Sequence, residues 1–276
     1  MTAQSGLGFS GIVAIQIPDD GATGTQLTKQ SPDNYDYDWE ADDSPQRRFF
    51  EFMGTRGFVF SDFLEPPAGF QADGVQIVPA SGGFASTPTL PYDFTNHPGV
   101  WGLNTGAVSA AGRVFVLSQF ASGFHVGVGG LTRLGVWFQA PAILSTALQR
   151  FVLRAGVSSV VLPNSLLQAI TFEYQDNENG GRWQAICGDA LGVETSVDTG
   201  ILVVASTYYK LEWEVNSAGT SVEFFIDSVS VATITTNIPS GITFGHFINI
   251  HIMKLIGLGN RAPYLDAYYF YQEVTR

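Results

Sequence analysis

The chain has 276 residues, of which 45% are hydrophobic, 13% aromatic and only 14% charged, with 31 glycines. Few charges, many aromatics and abundant glycine suit short strands joined by tight turns, and argue against a helical bundle built from Ala, Leu, Glu and Lys. A formal net charge of −12 repels phosphate backbones and anionic lipid, which argues against nucleic-acid binding and against docking on an anionic membrane surface.

Residues 1–60 form a mixed N-terminal region read as an attachment or oligomerisation segment. Met1 to Gly11 lack the basic region and apolar run of a signal peptide, so synthesis in a cytoplasm without export is expected. No stretch reaches the roughly 20 uninterrupted apolar residues of a membrane span, so membrane insertion is not expected. An apolar segment, Phe9 to Ile17, precedes six acidic residues between Asp33 and Asp43. Within that acidic run, Tyr35, Tyr37 and Trp39 alternate with Asp36 and Asp38. On a strand the aromatics would share one face and the carboxylates the other. Such a face needs something to pack on, either a neighbouring subunit or the chain's own large domain.

Residues 61–91 are rich in Pro and Gly, including Pro66-Pro67, Gly82-Gly83 and Pro88. They read as a connecting segment or as the first, interrupted strands of a sandwich. From residue 92 to 276 period-2 strand candidates follow one another. They run Arg113 to Phe120, Leu134 to Gln139, Gln149 to Ala155, Ala169 to Gln175 and Arg182 to Cys187. Next come Tyr208 to Asn216, Ser221 to Asp227, Ser228 to Thr235, Phe247 to Leu255 and Tyr264 to Tyr271. Asp176 to Gly181 and Ser217 to Thr220 are hairpin turns, because Asn and Gly tolerate positive φ. The single short helical candidate is Ser145 to Gln149. Regular strands, hairpins and no long amphipathic helix predict an all-β antiparallel sandwich. Cys187, the one cysteine, can form no intrachain disulfide and reads as an inert core residue.

Two stretches carry a family resemblance. His97-Pro98-Gly99-Val100-Trp101, Asn104-Thr105-Gly106 and Phe172-Glu173-Tyr174 open the first, followed by Asn179-Gly180-Gly181-Arg182-Trp183-Gln184 and Asp198-Thr199-Gly200. It continues through Tyr209 to Asp227, Thr236 to Gly241 and Asp266 to Tyr271. Together these resemble the concanavalin A-like jelly roll of bacteriophage tail-fibre and other virion proteins, over about two-thirds of the chain. The second, Gly21 to Ser31 continued by Asp33 to Trp39, resembles a short motif of phage fibre proteins found near trimeric junctions. The resemblance implies a virion surface protein, either a short fibre or a head-decoration subunit. It implies self-association as a homotrimer, contacts to capsid or tail proteins, and host surface glycan as a further partner. Tyr35, Tyr37 and Trp39 become the candidate oligomer contacts.

An enzyme on this fold would resemble the laminarinase-type glycosidases, which oppose two carboxylates across a sugar ring from alternating positions of one strand. The nearest arrangement here, Glu212-Trp213-Glu214, lacks the intervening aspartate and third acid. No Gly-x-Ser-x-Gly elbow, phosphate loop or zinc-ligand spacing is present. The chain therefore reads as non-enzymatic, with no cofactor. Asp176 and Glu178 are hard oxygen ligands that could hold a structural calcium, although a turn favours the same residues for backbone reasons. Glycan binding needs an aromatic platform with polar partners. The candidates by type are Trp101, Trp183 and Tyr208, with Asn179 and Asp198, against a background in which most tryptophans are core.

Overall fold

The computed structural model describes residues 25–29, 37–41, 56–61, 75–80, 100–107, 113–118, 130–159, 166–175, 179–239 and 246–273. The chain divides into two compact units, Met1–Gly54 and Thr55–Arg276. In the first, β1 (Thr25–Lys29) pairs antiparallel with β2 (Tyr37–Ala41), setting Tyr37 opposite Lys29 and Trp39 opposite Leu27. Tyr35 lies outside the described residues.

The second unit contributes β3 (Arg56–Ser61), β4 (Val75–Ala80), β5 (Trp101–Gly102), β6 (Arg113–Ser118) and β7 (Thr132–Gln139). It continues with β8 (Arg150–Ser158), β9 (Ala169–Gln175), β10 (Arg182–Gly188), β11 (Glu194–Leu202) and β12 (Tyr208–Val215). The last four are β13 (Val222–Ile226), β14 (Val229–Ile234), β15 (His246–Ile256) and β16 (Tyr264–Glu273). They form two seven-stranded antiparallel sheets. One has the order β11-β10-β9-β8-β15-β6-β4; the other runs β14-β13-β12-β7-β16-β3, with β5 also on β16. The two C-terminal strands are interior: β15 sits between β8 and β6, and β16 between β7 and β3. This is the antiparallel sandwich that the strand periodicity predicts, with the concanavalin A-like jelly-roll fold that the resemblance implies.

The hairpins form where turn chemistry allows. Between β9 and β10, Asn179, Gly180 and Gly181 all take positive φ. After β12, the Asn216 side chain accepts from the Thr220 amide at 2.8 Å and pins the turn into β13. Between β13 and β14 two residues suffice: Asp227 and Ser228 have φ of 50° and 66°, the left-handed pair whose twist matches that of a hairpin. Asp227 Oδ1 accepts from the Lys210 amide at 2.8 Å, which ties that turn back to β12.

Alternate residues of β7, β8, β9, β10, β12, β13 and β15 point between the sheets and form one core. Trp183 is fully buried within it. Its indole meets Phe138, Tyr209, Tyr174 and Phe172 edge-on, with ring centroids at 5.6, 5.7, 6.2 and 6.4 Å. Cys187 is also fully buried, and burial pushes its thiol pKa up, so it carries no thiolate chemistry at neutral pH.

Two expectations are corrected. Ser145 to Gln149 is not helical: Thr146 and Gln149 exchange both backbone hydrogen bonds, at 3.1 and 3.0 Å, around a two-residue turn. Five residues are too few to repay helix nucleation. Strand β11 was not expected. Its sequence, ETSVDTGIL, is mostly exposed edge strand with no apolar face to reveal it.

Candidate functional site

The outward face of the β11-to-β4 sheet carries a polar row that crosses five strands. His251 on β15 sits opposite Arg154 on β8, Arg154 opposite Glu173 on β9, Glu173 opposite Gln184 on β10, and Gln184 opposite Asp198 on β11. The parity that turns Leu153, Phe172 and Ala185 into the core turns these neighbours outward. The adjacent row, Asn249, Gly156, Thr171, Ile186 and Ser196, is smaller and less charged.

Over the middle of these rows lies a groove of about 500 Å³, whose polar lining includes Arg154, Glu173, Gln175, Gln184, Glu194 and Ser196. Its floor is rigid. Arg154 and Glu173 are only 7% and 4% exposed, and the Arg154 Nε–H donates to Glu173 Oε2. Ser196 Oγ donates to Gln184 Oε1 at 3.0 Å. A Cβ on Gly156 would lie 2.1 Å from the Ile170 carbonyl oxygen, so this position brings β8 and β9 together closely beside the row. The groove therefore offers fixed amides, carboxylates and a guanidinium, which suit the multiple hydroxyls of a sugar.

His251 ends the row, with Nδ1 and Asn249 Oδ1 3.2 Å apart. Burial, then the positive charges of Arg154 and Arg113, hold its pKa well below the usual histidine value. The folded protein thus keeps His251 neutral where an unfolded chain would protonate it. Stability from this residue is complete above about pH 6.5 and falls below it, by up to about 1.4 kcal/mol per pH unit. Urea midpoints from pH 7.5 to 5 should fall less steeply for His251→Gln than for the parent. Equal slopes would remove His251 from the account.

The candidate glycan residues do not form one site. Trp183 offers no face to a ligand, because the hydrophobic gain of burying an indole between two sheets outweighs its use as a platform. Trp101 sits on β5 opposite Leu265, in the other sheet. Tyr208 also belongs to that sheet, opposite Gln139, and burial followed by the Asp266 charge pushes its phenol pKa up to about 12. Asn179 and Asp198 do come together beside the β9–β10 hairpin. The Gly200 amide, which donates to Asp198 Oδ1 at 2.7 Å, then the Asn179 side chain and the Arg182 charge hold the Asp198 pKa down. Asp176 and Glu178 lie outside the described residues. Among the described residues no group of three His, Cys, Asp or Glu is placed to hold a metal.

Glu212, part of the nearest approach to a glycosidase motif, belongs to the other sheet and is fully buried. Its Oε1 accepts from Arg133 at 3.1 Å, Lys210 at 2.9 Å and the Tyr269 hydroxyl. Gly135 leaves the space for the Tyr269 ring to pass over the sheet to reach it. Glu212 thus ties β12 to β7 and β16. Sequence reading missed Arg154, Glu173, Gln184 and His251. Their only signal is a polar residue recurring in otherwise apolar strands, and their alignment depends on the spatial order of strands far apart in the chain.

A family model described as "SO2946-like, C-terminal domain" matches residues 96–260. No curated protein sequence matches the chain. Among solved structures, the endo-1,3-beta-glucanase of Streptomyces sioyaensis aligns over 80% of this chain and 98% of its own, at 13% identity and a TM-score of 0.52. Botulinum neurotoxin type C, in a structure concerned with its interaction with two ganglioside molecules, aligns over 80% of this chain and 49% of its own, at 11% identity and a TM-score of 0.50. Peanut lectin aligns over 80% and 99%, at 10% identity and a TM-score of 0.47. At these identities the likeness is one of fold.

Proposed function

The chain belongs to the SO2946-like C-terminal-domain family, and from that premise we propose that it is a non-enzymatic, glycan-binding surface protein of a bacteriophage particle. The observation that carries the binding role is the groove floored by Arg154, Glu173 and Gln184. Its chemistry argues against hydrolysis. Glycosidases place two carboxyl groups about 5–9.5 Å apart, one of them able to give a proton. Strand β9 turns Ala169, Thr171, Glu173 and Gln175 to the groove side; its one carboxylate, Glu173, is paired with Arg154, and the groove's other carboxylate, Glu194, stands on a different strand, β11.

The virion setting is supported by the fibre-like stretches Gly21 to Ser31 and Asp33 to Trp39. In this reading the protein assembles as a homotrimer and attaches through residues 1–60 to capsid or tail proteins. The jelly roll then faces host glycans.

The test is binding of fluorescently labelled protein to candidate host cells, with free sugars as competitors and β-glucan hydrolysis assayed alongside. Saturable, sugar-competed binding is expected, weakened at least tenfold by Gln184→Ala, with no reducing ends released. Absence of binding by folded protein would leave a structural capsid-decoration role in its place. Released reducing ends would make the protein an enzyme.

A further inference from the structure

Five Asp, Glu, Lys or Arg side chains are buried among the described residues: Arg154, Glu173, Glu212, Lys254 and Arg261. The first three are paired with opposite charge. Lys254 and Arg261 are not, although they are only 3% and 5% exposed. Lys254 lies near the end of β15, and its Nζ donates to the Gly106 carbonyl at 2.7 Å and the Leu258 carbonyl at 3.4 Å. Arg261, in the β15–β16 connection, donates from Nη1 to the Asn260 carbonyl at 2.8 Å, while its guanidinium lies over the Phe151 ring. Its Nε is buried with no acceptor. Burial, and then the charge of Arg261, depress the proton affinity of Lys254.

Among the described residues no Asp or Glu forms an ion pair with Lys254 or Arg261. Apart from Tyr174 of β9, whose ring packs on Phe151, the segments that meet here, around Gly106, Phe151 and Lys254 to Arg261, fall in residues 94–172 and 228–265, and neither stretch contains a single Asp or Glu. That is unusual in a chain with 25 acidic residues. The neighbouring polar groups are already committed. Thr105, itself fully buried, accepts the Arg261 amide at 2.9 Å, and Gln149 accepts the Gly259 amide at 2.7 Å. Backbone carbonyls satisfy some donors but supply only partial charge. Two like charges taken out of water together remain uncompensated.

We propose that Lys254 and Arg261 form an oxyanion site, separate from the groove, that takes a carboxylate, sulfate or phosphate group. A guanidinium offers a planar pair of donors to such a group and an ammonium adds a point charge. The site does not depend on the groove's binding glycan.

Isothermal titration calorimetry of the full chain at fixed ionic strength, with sodium phosphate, sodium sulfate, sodium glucuronate and glucose, tests it. Saturable one-to-one binding of at least one anion is expected, with glucose silent. Lys254→Met should weaken that binding at least tenfold. Phosphate or sulfate without glucuronate would identify a free inorganic ion. Glucuronate binding would identify a carboxylate borne on a sugar. If none of the three anions gives saturable heat with the parent protein, the site does not exist, whether or not the variant folds. Equal anion affinity of parent and folded Lys254→Met would overturn the assignment as well.

Discussion

Trp183→Ala is expected to destabilise the jelly roll by about 3–5 kcal/mol, the usual cost of truncating a buried aromatic. For a unit of this size that corresponds to a fall of roughly 6–20 °C in melting temperature. The loss has two parts. The vacated volume lies between β10 and the strands of the other sheet, where backbone hydrogen bonding on both sides prevents collapse. The four edge-on ring contacts are lost together, each contributing about 0.5–1.5 kcal/mol beyond area burial. Trp183→Phe should lose less, because the indole N–H is buried without a hydrogen-bond partner and its removal offsets part of the lost packing. Urea denaturation of the three proteins measures this. An Ala variant as stable as the parent would contradict the core assignment and return Trp183 to candidacy as a sugar platform.

The second large effect concerns the floor of the groove. Arg154→Leu leaves Glu173 as an unpaired carboxylate at 4% exposure and should cost about 3–5 kcal/mol. Glu173→Leu removes the carboxylate to which the Arg154 Nε–H donates and should also destabilise. The double variant should be much closer to the parent, since replacing a buried pair with apolar residues of similar volume is often nearly neutral. A double-mutant cycle by denaturant unfolding isolates the coupling. Simple addition of the two single losses would mean that the short contact between Arg154 and Glu173 carries little energy. Sugar binding serves as the second readout: the double variant should fold but lose affinity, because it removes two of the groove's polar groups while keeping the fold.

Much of the fold was legible in local chemistry. The β9–β10 hairpin follows from its Asn-Gly-Gly turn, and the β12–β14 meander from apolar alternation broken at Ser217 to Thr220 and again at Asp227-Ser228. Ala169–Gln175 was predicted with both ends correct. What local chemistry hides is long-range register. His251 joins Arg154 only because β15 lies beside β8, and those strands are almost a hundred residues apart in the chain. Burial was misjudged for the same reason. Glu212 reads as a solvated strand residue until Arg133, Lys210 and Tyr269 arrive from three directions. Trp183 is indistinguishable by type from an exposed platform, and only the parity that sends it inward with Ala185 and Cys187 decides its place. Strand β11 is invisible because an exposed edge needs no apolar face.

The interior positions of β15 and β16 govern how this chain can be made. As it leaves the ribosome, β8 and β6 wait without the strand that joins them, and β7 and β3 wait likewise. Neither layer can complete its backbone pairing until His246 to Glu273 has emerged. Folding of the two sheets therefore waits on β15 and β16, with four strand edges held open until those strands arrive. Those edges are the surfaces on which nascent neighbours would mispair, and a nonsense truncation before Tyr264 would yield aggregate rather than a smaller working domain.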